Sequence, residues 1–201
     1  MNRATSFVIV MILVLTVAAC AVKKEGIIAR GQSTDAEVFR EAKDGGLPPA
    51  ESADLTIRAS LKTYPKDHFL IDPKRPADIV SAYPFVLNID GHGTVWRVDG
   101  KTDIVPAYDE KGRRVPEGGE GIKYTIEKKV RVPAGSHTIY FGVPEERYAV
   151  EEVISLSGGT QNVLELKPVY KRSHRGATGW TRDFAHGLSE YDIYLNGKII
   201  E

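Results

Sequence analysis

Two hydrophobic patterns divide the chain, namely one continuous apolar run near its start and alternating apolar positions from residue 54 onward. The continuous run covers 7–17. From Asp54, apolar side chains occupy every second position through Leu55, Ile57, Ala59 and Leu61. This period of two is typical of a β-strand with one buried face. Further segments rich in β-branched and aromatic residues predict more strands at 85–89, 94–98, 123–126, 129–132, 138–141, 153–156, 162–166 and 192–195.

Short glycine-containing turns separate many of these segments, and they determine the fold class that we expect. Glycine permits the positive φ angles that tight strand connections require, and Asp and Asn support the same turns. Many short strands with close turns predict an all-β fold, an antiparallel β-sandwich or barrel, over residues 54–201, and they exclude a helical bundle. The predicted turns are 90–93, 99–100, 134–135, 157–159 and 196–197.

Two stretches interrupt this rhythm and are the surfaces on which we expect binding. The first, 101–121, is polar, rich in glycine and long for a hairpin connection. Loops of this length often carry function. The second begins with the basic cluster 171–175 and continues to Trp180, Phe184 and Leu188, whose spacing predicts one face of a helix that caps the sandwich.

The first residues have the three parts of an export signal. Arg3 is the charged residue at its start, and residues 7–17 form its apolar segment. Ala18 and Ala19 are the small residues that precede the cleavage site. At 1.5 Å per residue this apolar segment covers only roughly 17 Å, against about 30 Å for the hydrocarbon core of a bilayer. The alternative is an uncleaved anchor, because the uncharged stretch 4–22 is long enough to span a bilayer.

The ending Val17-Ala18-Ala19-Cys20 resembles the lipobox of bacterial lipoproteins. The resemblance implies removal of 1–19 as a signal peptide and attachment of a diacylglyceryl group, with acyl chains such as palmitate, to Cys20. Two or more acyl chains would anchor the protein stably to a membrane. The implied location is the cell envelope, periplasmic or surface-facing, and Ala21 after the cysteine favours the outer membrane if the cell is Gram-negative.

Residues 20–53 are predicted to be a lipidated tether between the anchor and the sandwich. Their composition is polar, with glycine and proline at 45–49. Thr34 and Glu37 have capping-box spacing and predict a short helix that ends at Gly45-Gly46. A flexible spacer without a helix is the alternative.

Composition and charge narrow the possible functions. The 201 residues include 27 Lys and Arg against 27 Asp and Glu, a net charge of +0, which disfavours a general nucleic-acid binder. One cysteine excludes a disulfide framework. The five histidines form no close ligand pair, so we predict no metal site and no cofactor. The acidic residues between Asp90 and Glu110 leave calcium as an alternative, although Asp beside Gly is usually turn chemistry.

The segment from Val130 to Leu166 resembles a PEGA-type domain, and a fibronectin-like or transthyretin-like sandwich is the alternative. It contains a Pro133-Ala134-Gly135 turn, then His137 and alternating apolar residues, then Tyr148 before the next strand pair. The resemblance implies a small β-module of envelope proteins, used for interaction or spacing, and it implies no catalytic residues. His137 would be a structural residue at the start of a strand.

The sequence thus predicts a non-enzymatic, lipid-anchored envelope protein that serves as an interaction or accessory module for a protein partner. It shows no Gly-x-Ser-x-Gly elbow and no nucleophile with a local base. Two alternatives stay open: a carbohydrate- or peptidoglycan-binding module that uses exposed aromatic rings, and an enzyme whose residues converge only in the fold. The candidate partner- or ligand-binding residues are Trp96, Tyr108, Trp180 and Phe184.

Overall fold

The computed structural model describes residues 23–32, 46–64, 82–174 and 179–200, and the described part is built mainly of β-strands. Cys20, the predicted signal peptide and the predicted helix at 34–44 lie outside these residues. The single α-helix among them, α1, is Lys24–Arg30. The strands are β1 Ser52–Thr63, β2 Tyr83–Ile89, β3 His92–Val98, β4 Lys101–Val105, β5 Gly119–Pro133, β6 Gly135–Val143, β7 Tyr148–Leu156, β8 Gln161–Tyr170, β9 Arg172–His174, β10 Trp180–Arg182, β11 Leu188–Leu195 and β12 Lys198–Ile199.

These strands form two packed sheets and a small ribbon. The larger sheet has the order β12-β11-β8-β1-β5-β4, and the smaller has the order β3-β2-β6-β7. β1 pairs antiparallel with β5 and parallel with β8, whereas the other pairs are antiparallel. β9 and β10 pair with each other as the ribbon.

The core lies between the inner faces of the two sheets, as the alternating sequence pattern predicts. Leu55, Ile57 and Leu61 of β1 have no solvent exposure, and Phe85 and Phe141 of the smaller sheet pack with ring centroids 6.1 Å apart. Alternate residues of each strand point inward because successive side chains lie on opposite faces of the pleat. The prediction of an all-β sandwich is confirmed.

Three local predictions differ from the structure. The two segments predicted at 123–126 and 129–132 are parts of one long strand, β5. The first residues of the predicted loop 101–121 form edge strand β4, whose polar sequence hides the period of two. The predicted helix through Trp180, Phe184 and Leu188 is wrong, because these residues lie in β10, a 3-10 helix and β11. A spacing of four is compatible with a helical face, but here hydrogen bonds between strands determine the local structure.

The two ends of the sandwich are built differently. At the turn end, compact turns that include Asp90-Gly91, 157–160 and Asn196-Gly197 connect the strands. At the loop end lie the segment 106–118, the β9–β10 ribbon, the 3-10 helix Pro144–Glu146 and the segment 183–187. β1 and β8 are parallel and both finish at the loop end, so the ribbon follows β8 directly there.

The helix α1 packs on the outer face of the smaller sheet. Ile27 is fully buried there against Val86 and Tyr140. The carbonyl of Arg30 accepts a hydrogen bond of 2.8 Å from the side-chain amide of Asn88. Gly142 permits this approach, because a Cβ at that position would overlap the side chain of Ile27.

The position of α1 matters for the predicted tether, because α1 falls within residues 20–53. The part of that segment described as 23–32 is helical and docked on the sandwich. Within the described residues, none of the helices has the length and apolar character needed to cross a membrane.

Candidate interaction surface at the loop end

The two stretches that interrupt the sequence pattern meet at the loop end. The backbone N–H of Phe184 donates to the carbonyl of Pro116 at 2.9 Å. Within the first stretch, Tyr108 and Arg114 form an isolated β-bridge, and the N–H of Val115 donates to the carbonyl of Ala107 at 3.0 Å. The loop is therefore folded back on itself and attached to the segment 183–187.

A buried lysine connects β1 to this loop. The side chain of Lys62 has no solvent exposure, and its Nζ donates to Asp103 Oδ2 at 2.8 Å, to the carbonyl of Glu117 at 2.9 Å and to the carbonyl of Gly119 at 2.8 Å. The same Nζ lies 5.0 Å from the ring centroid of Phe184, a cation–π distance. The ammonium group thus has its three donors satisfied, as a buried charge requires.

A second buried ion pair holds the loop to the segment 183–187. Arg114 donates to Asp183 Oδ2 from Nη2 at 2.5 Å and from Nε at 3.1 Å, and the side chain of Asp183 is almost fully buried. Asp183 Oδ1 also accepts a hydrogen bond from the N–H of Ala185. Burial lowers the pKa of Arg114, but the hydrogen bond and charge of Asp183 outweigh it, so the net pKa is raised. The guanidinium of Arg114 is therefore charged at neutral pH.

Tyrosine hydroxyls fill the space beneath these loops. Tyr83 donates to Glu146 Oε1 at 2.9 Å, and Tyr170 donates to Glu117 Oε1 at 3.0 Å. Burial, followed by the charge of the neighbouring glutamate, raises the pKa of both tyrosines. Both hydroxyls therefore stay protonated and act as donors. Their hydrogen bonds to Glu146 and Glu117 connect the core of the sandwich to the loop end.

Large apolar side chains stand exposed on this fixed framework. The exposed fractions are 74% for Ile104, 54% for Tyr108 and 70% for Trp180. Tyr108 lies beside Arg114, whose Cζ is 6.0 Å from its ring centroid, and Trp180 packs edge-on against His174 at 5.5 Å. Exposed aromatic groups on an ordered surface are characteristic of contact sites.

The structure separates the four residues that the sequence suggested for binding. Tyr108 and Trp180 are exposed at the loop end, whereas Trp96 is partly buried and packs against the main core. The assignment of Phe184 to a contact surface is wrong, because its ring is 2% exposed and packs under Lys62. Phe184 is a core residue that supports the surface.

Sequence reasoning missed the residues that hold this surface in place. Lys62 occurs at an outward-facing position of β1, where a lysine is normally solvated, so its burial depends on the distant loop. Asp183 precedes a short 3-10 helix and resembles an ordinary capping residue. No local signal pairs it with Arg114, 69 positions earlier.

The turn end holds the residue that the PEGA-type resemblance assigned a structural role. His137 is buried, with Nδ1 2.6 Å from Asp90 Oδ2 and Nε2 2.8 Å from the carbonyl of Pro133. Burial raises the pKa of Asp90, but the hydrogen bonds from His137 and the N–H of Thr138 lower it further, so the net pKa is lowered. These contacts join the β2–β3 turn to the start of β6.

Metal-ligating side chains do not gather in the part of the chain that the structure describes. No group of three or more His, Cys, Asp or Glu residues there is arranged to hold a metal ion.

Comparisons with known proteins found no relative of this chain. No protein-family model matches it, and neither the curated proteins nor the solved structures contain a significant match.

Proposed function

We propose that this protein is a lipid-anchored, non-enzymatic interaction module of the cell envelope, with acyl chains on Cys20 and the loop end as its contact surface. The anchor is supported by the lipobox-like ending Val17-Ala18-Ala19-Cys20. The contact surface is supported by the geometry of the sandwich.

One observation carries the choice of the loop end. The ion pair of Arg114 with buried Asp183 holds the two loop-end segments together, and buried Lys62 ties the first of them to β1. Exposed Ile104, Tyr108 and Trp180 nevertheless lie on or beside those segments. Burying charges costs free energy, and a fixed surface loses less conformational entropy when it binds. An arrangement that orders loops without covering their apolar side chains favours recognition of a partner.

The experiment compares contacts made at the two ends in living cells. A photo-crosslinking amino acid replaces Tyr108 at the loop end, and in a matched control it replaces Ser136, an exposed residue at the turn end. We expect crosslinked adducts with other components of the envelope at position 108 and few such adducts at position 136. Sugar adducts at position 108 would support the carbohydrate-binding alternative, and equal labelling at both positions would contradict the choice of surface.

A separate variant tests the anchor. Cys20→Ala removes the acylated thiol, so we expect loss of membrane fractionation and of the acylated Cys20 peptide in mass spectra. Retention of the Cys20→Ala protein in membranes, with its first residues uncleaved, would support the alternative anchor formed by 4–22.

A further inference from the structure

We infer that the loop end faces the lipid bilayer, with Trp180 and Tyr108 at the level of the lipid headgroups. This inference rests on the proposed acylation of Cys20 and names the partner of the proposed contact surface. It follows from where the chain enters the sandwich, from the position of α1 and from the side chains exposed at that end.

The first step is the length of chain between the anchor and the folded domain. Lys24 begins α1 only four residues after Cys20. A fully extended chain spans at most about 3.6 Å per residue, so the first turn of α1 lies within roughly 14 Å of the acylated residue. The sandwich is therefore held close to the membrane and not at the end of a long spacer.

The second step is the docking of α1, which prevents the sandwich from moving away. Ile27 is buried against Val86 and Tyr140, and Gly142 lies directly beneath it. The carbonyl of Arg30 accepts from Asn88 at 2.8 Å. Ion pairs from Lys24 to Glu145 at 2.5 Å and from Arg30 to Glu151 at 3.2 Å lie near the two ends of the helix.

The third step identifies the end of the sandwich that this docking brings to the membrane. Lys24 is paired with Glu145, which belongs to the 3-10 helix Pro144–Glu146 at the loop end. The next residue, Glu146, accepts from the N–H of Leu188 at 3.2 Å and from the hydroxyl of Tyr83. The first turn of α1 and Leu188, which directly follows the segment 183–187, thus both contact one short helix.

The fourth step is the chemistry of the side chains at this end. Tryptophan and tyrosine are enriched at membrane–water interfaces, where an apolar ring and a polar tip are both accommodated. Trp180 and Tyr108 are exposed, and the exposed basic residues Lys111, Lys171 and Arg172 accompany them. Such long cationic side chains extend toward headgroups while their apolar stems lie along the interface.

The turn end provides the internal comparison for a test. It lies roughly 30 Å away, because β6 has nine residues and a strand rises about 3.3 Å per residue. The acylated full-length protein is reconstituted into vesicles of phosphatidylethanolamine and phosphatidylglycerol. A fluorophore is attached at Lys111→Cys or, as the matched control, at Ser136→Cys, and a nitroxide on the lipid headgroup quenches fluorescence close to the membrane.

We expect strong quenching at position 111 and none at position 136. Equal quenching at the two positions would overturn the inference, because it would mean that the sandwich lies flat or moves freely. Absence of quenching at both would overturn it as well. Both results leave the proposed anchor intact if the protein still floats with the vesicles and carries the acylated Cys20 peptide, whereas loss of flotation and acylation would refute the proposed function.

A second pair of variants tests the role of α1. Ile27→Asp places a charge in the buried contact, and Ala29→Asp places the same charge on an exposed position of the same helix. We expect Ile27→Asp to remain in the vesicles but to lose quenching at position 111, and Ala29→Asp to behave as the parent. Unchanged quenching in Ile27→Asp would overturn the claim that α1 orients the sandwich.

Discussion

The two ends of this sandwich show two ways of terminating the same strands. At the turn end, short connections with glycine in positive-φ positions close the hairpins, and His137 joins two of them through Asp90. At the loop end, long segments cover the strand termini and are held by the side chains of Lys62, Arg114 and Asp183.

The difference lies in the sequence distance over which each end is stabilised. Hydrogen bonds at the turn end include local ones, such as Gly91 N–H to Asn88 and His137 to the carbonyl of Pro133. At the loop end, Lys62 reaches Asp103, and Arg114 reaches a residue 69 positions away. The glycine turns themselves form from local sequence, and the contact between His137 and Asp90, 47 positions apart, then joins two of them. The loop-end segments are held in place by pairs between distant residues, so they require the completed sandwich.

Replacing Lys62 should cause one of the largest losses of stability, and the loss should be specific to the loop end. Lys62→Met leaves Asp103 without its cation and two carbonyls without a donor, and breaking a buried ion pair costs about 3–5 kcal/mol. Arg58→Met is the matched control on the same strand, because its pair with Glu127 is exposed and should contribute less than about 1 kcal/mol. Urea unfolding measures the loss in unfolding free energy for both variants. Similar losses in the two would contradict a special role of Lys62.

Replacing His137 should cost less and act on the turn end. His137→Ala removes both ring contacts and leaves the carbonyl of Pro133 without this donor. We therefore expect the free energy of unfolding to fall by about 2 kcal/mol. Hydrogen exchange should show faster opening of the β2–β3 turn, with the β9–β10 ribbon unchanged. His186→Ala, at an exposed position of the loop end, is the control. Equally faster hydrogen exchange at both ends would contradict the prediction, because it would mean that His137 stabilises the whole sandwich and not the turn end alone.

Alkaline pH should lower the stability of the protein, in part through the two tyrosines beneath the loop end. The pKa values of Tyr83 and Tyr170 are raised in the folded protein, so their contribution is complete below the unfolded tyrosine pKa of about 10 and is lost as the pH rises above it. Each tyrosine reduces stability by about 1.4 kcal/mol per pH unit in that range. Tyr83→Phe should lessen the fall in unfolding free energy between pH 9 and 11. An unchanged pH dependence in that variant would contradict this account.

The contrast between the ends also explains which predictions from the sequence succeeded. The period of two identified β1, strand-forming composition identified β2 and β8, and the glycine turns identified connections at the turn end, because these are local properties of the sequence. The sequence also indicated both loop-end segments as interruptions of that period.

What the sequence did not predict depends on contacts between distant residues. Phe184 has the spacing of an exposed helical face, yet its ring is buried because Lys62 and Tyr170 surround it. α1 lies in a polar stretch with few apolar residues, and its one buried side chain, Ile27, fits only because position 142 of β6 is glycine. A short stretch of sequence does not predict either contact, because the residues that meet are far apart along the chain.

Removing an exposed aromatic ring should have the smallest effect on folding. Trp180→Ala should change the unfolding free energy by less than about 0.5 kcal/mol, because the side chain is 70% exposed. Phe184→Ala, four residues later, should cost about 3–5 kcal/mol, because it leaves a cavity beneath the same surface. Thermal melts of both variants measure the difference in stability between them. Contact with the membrane or partner should weaken in Trp180→Ala, although the fold of this variant is intact. A large loss of stability in Trp180→Ala would show that the ribbon supports the sandwich, and the loop end would then be a structural cap and not a contact surface.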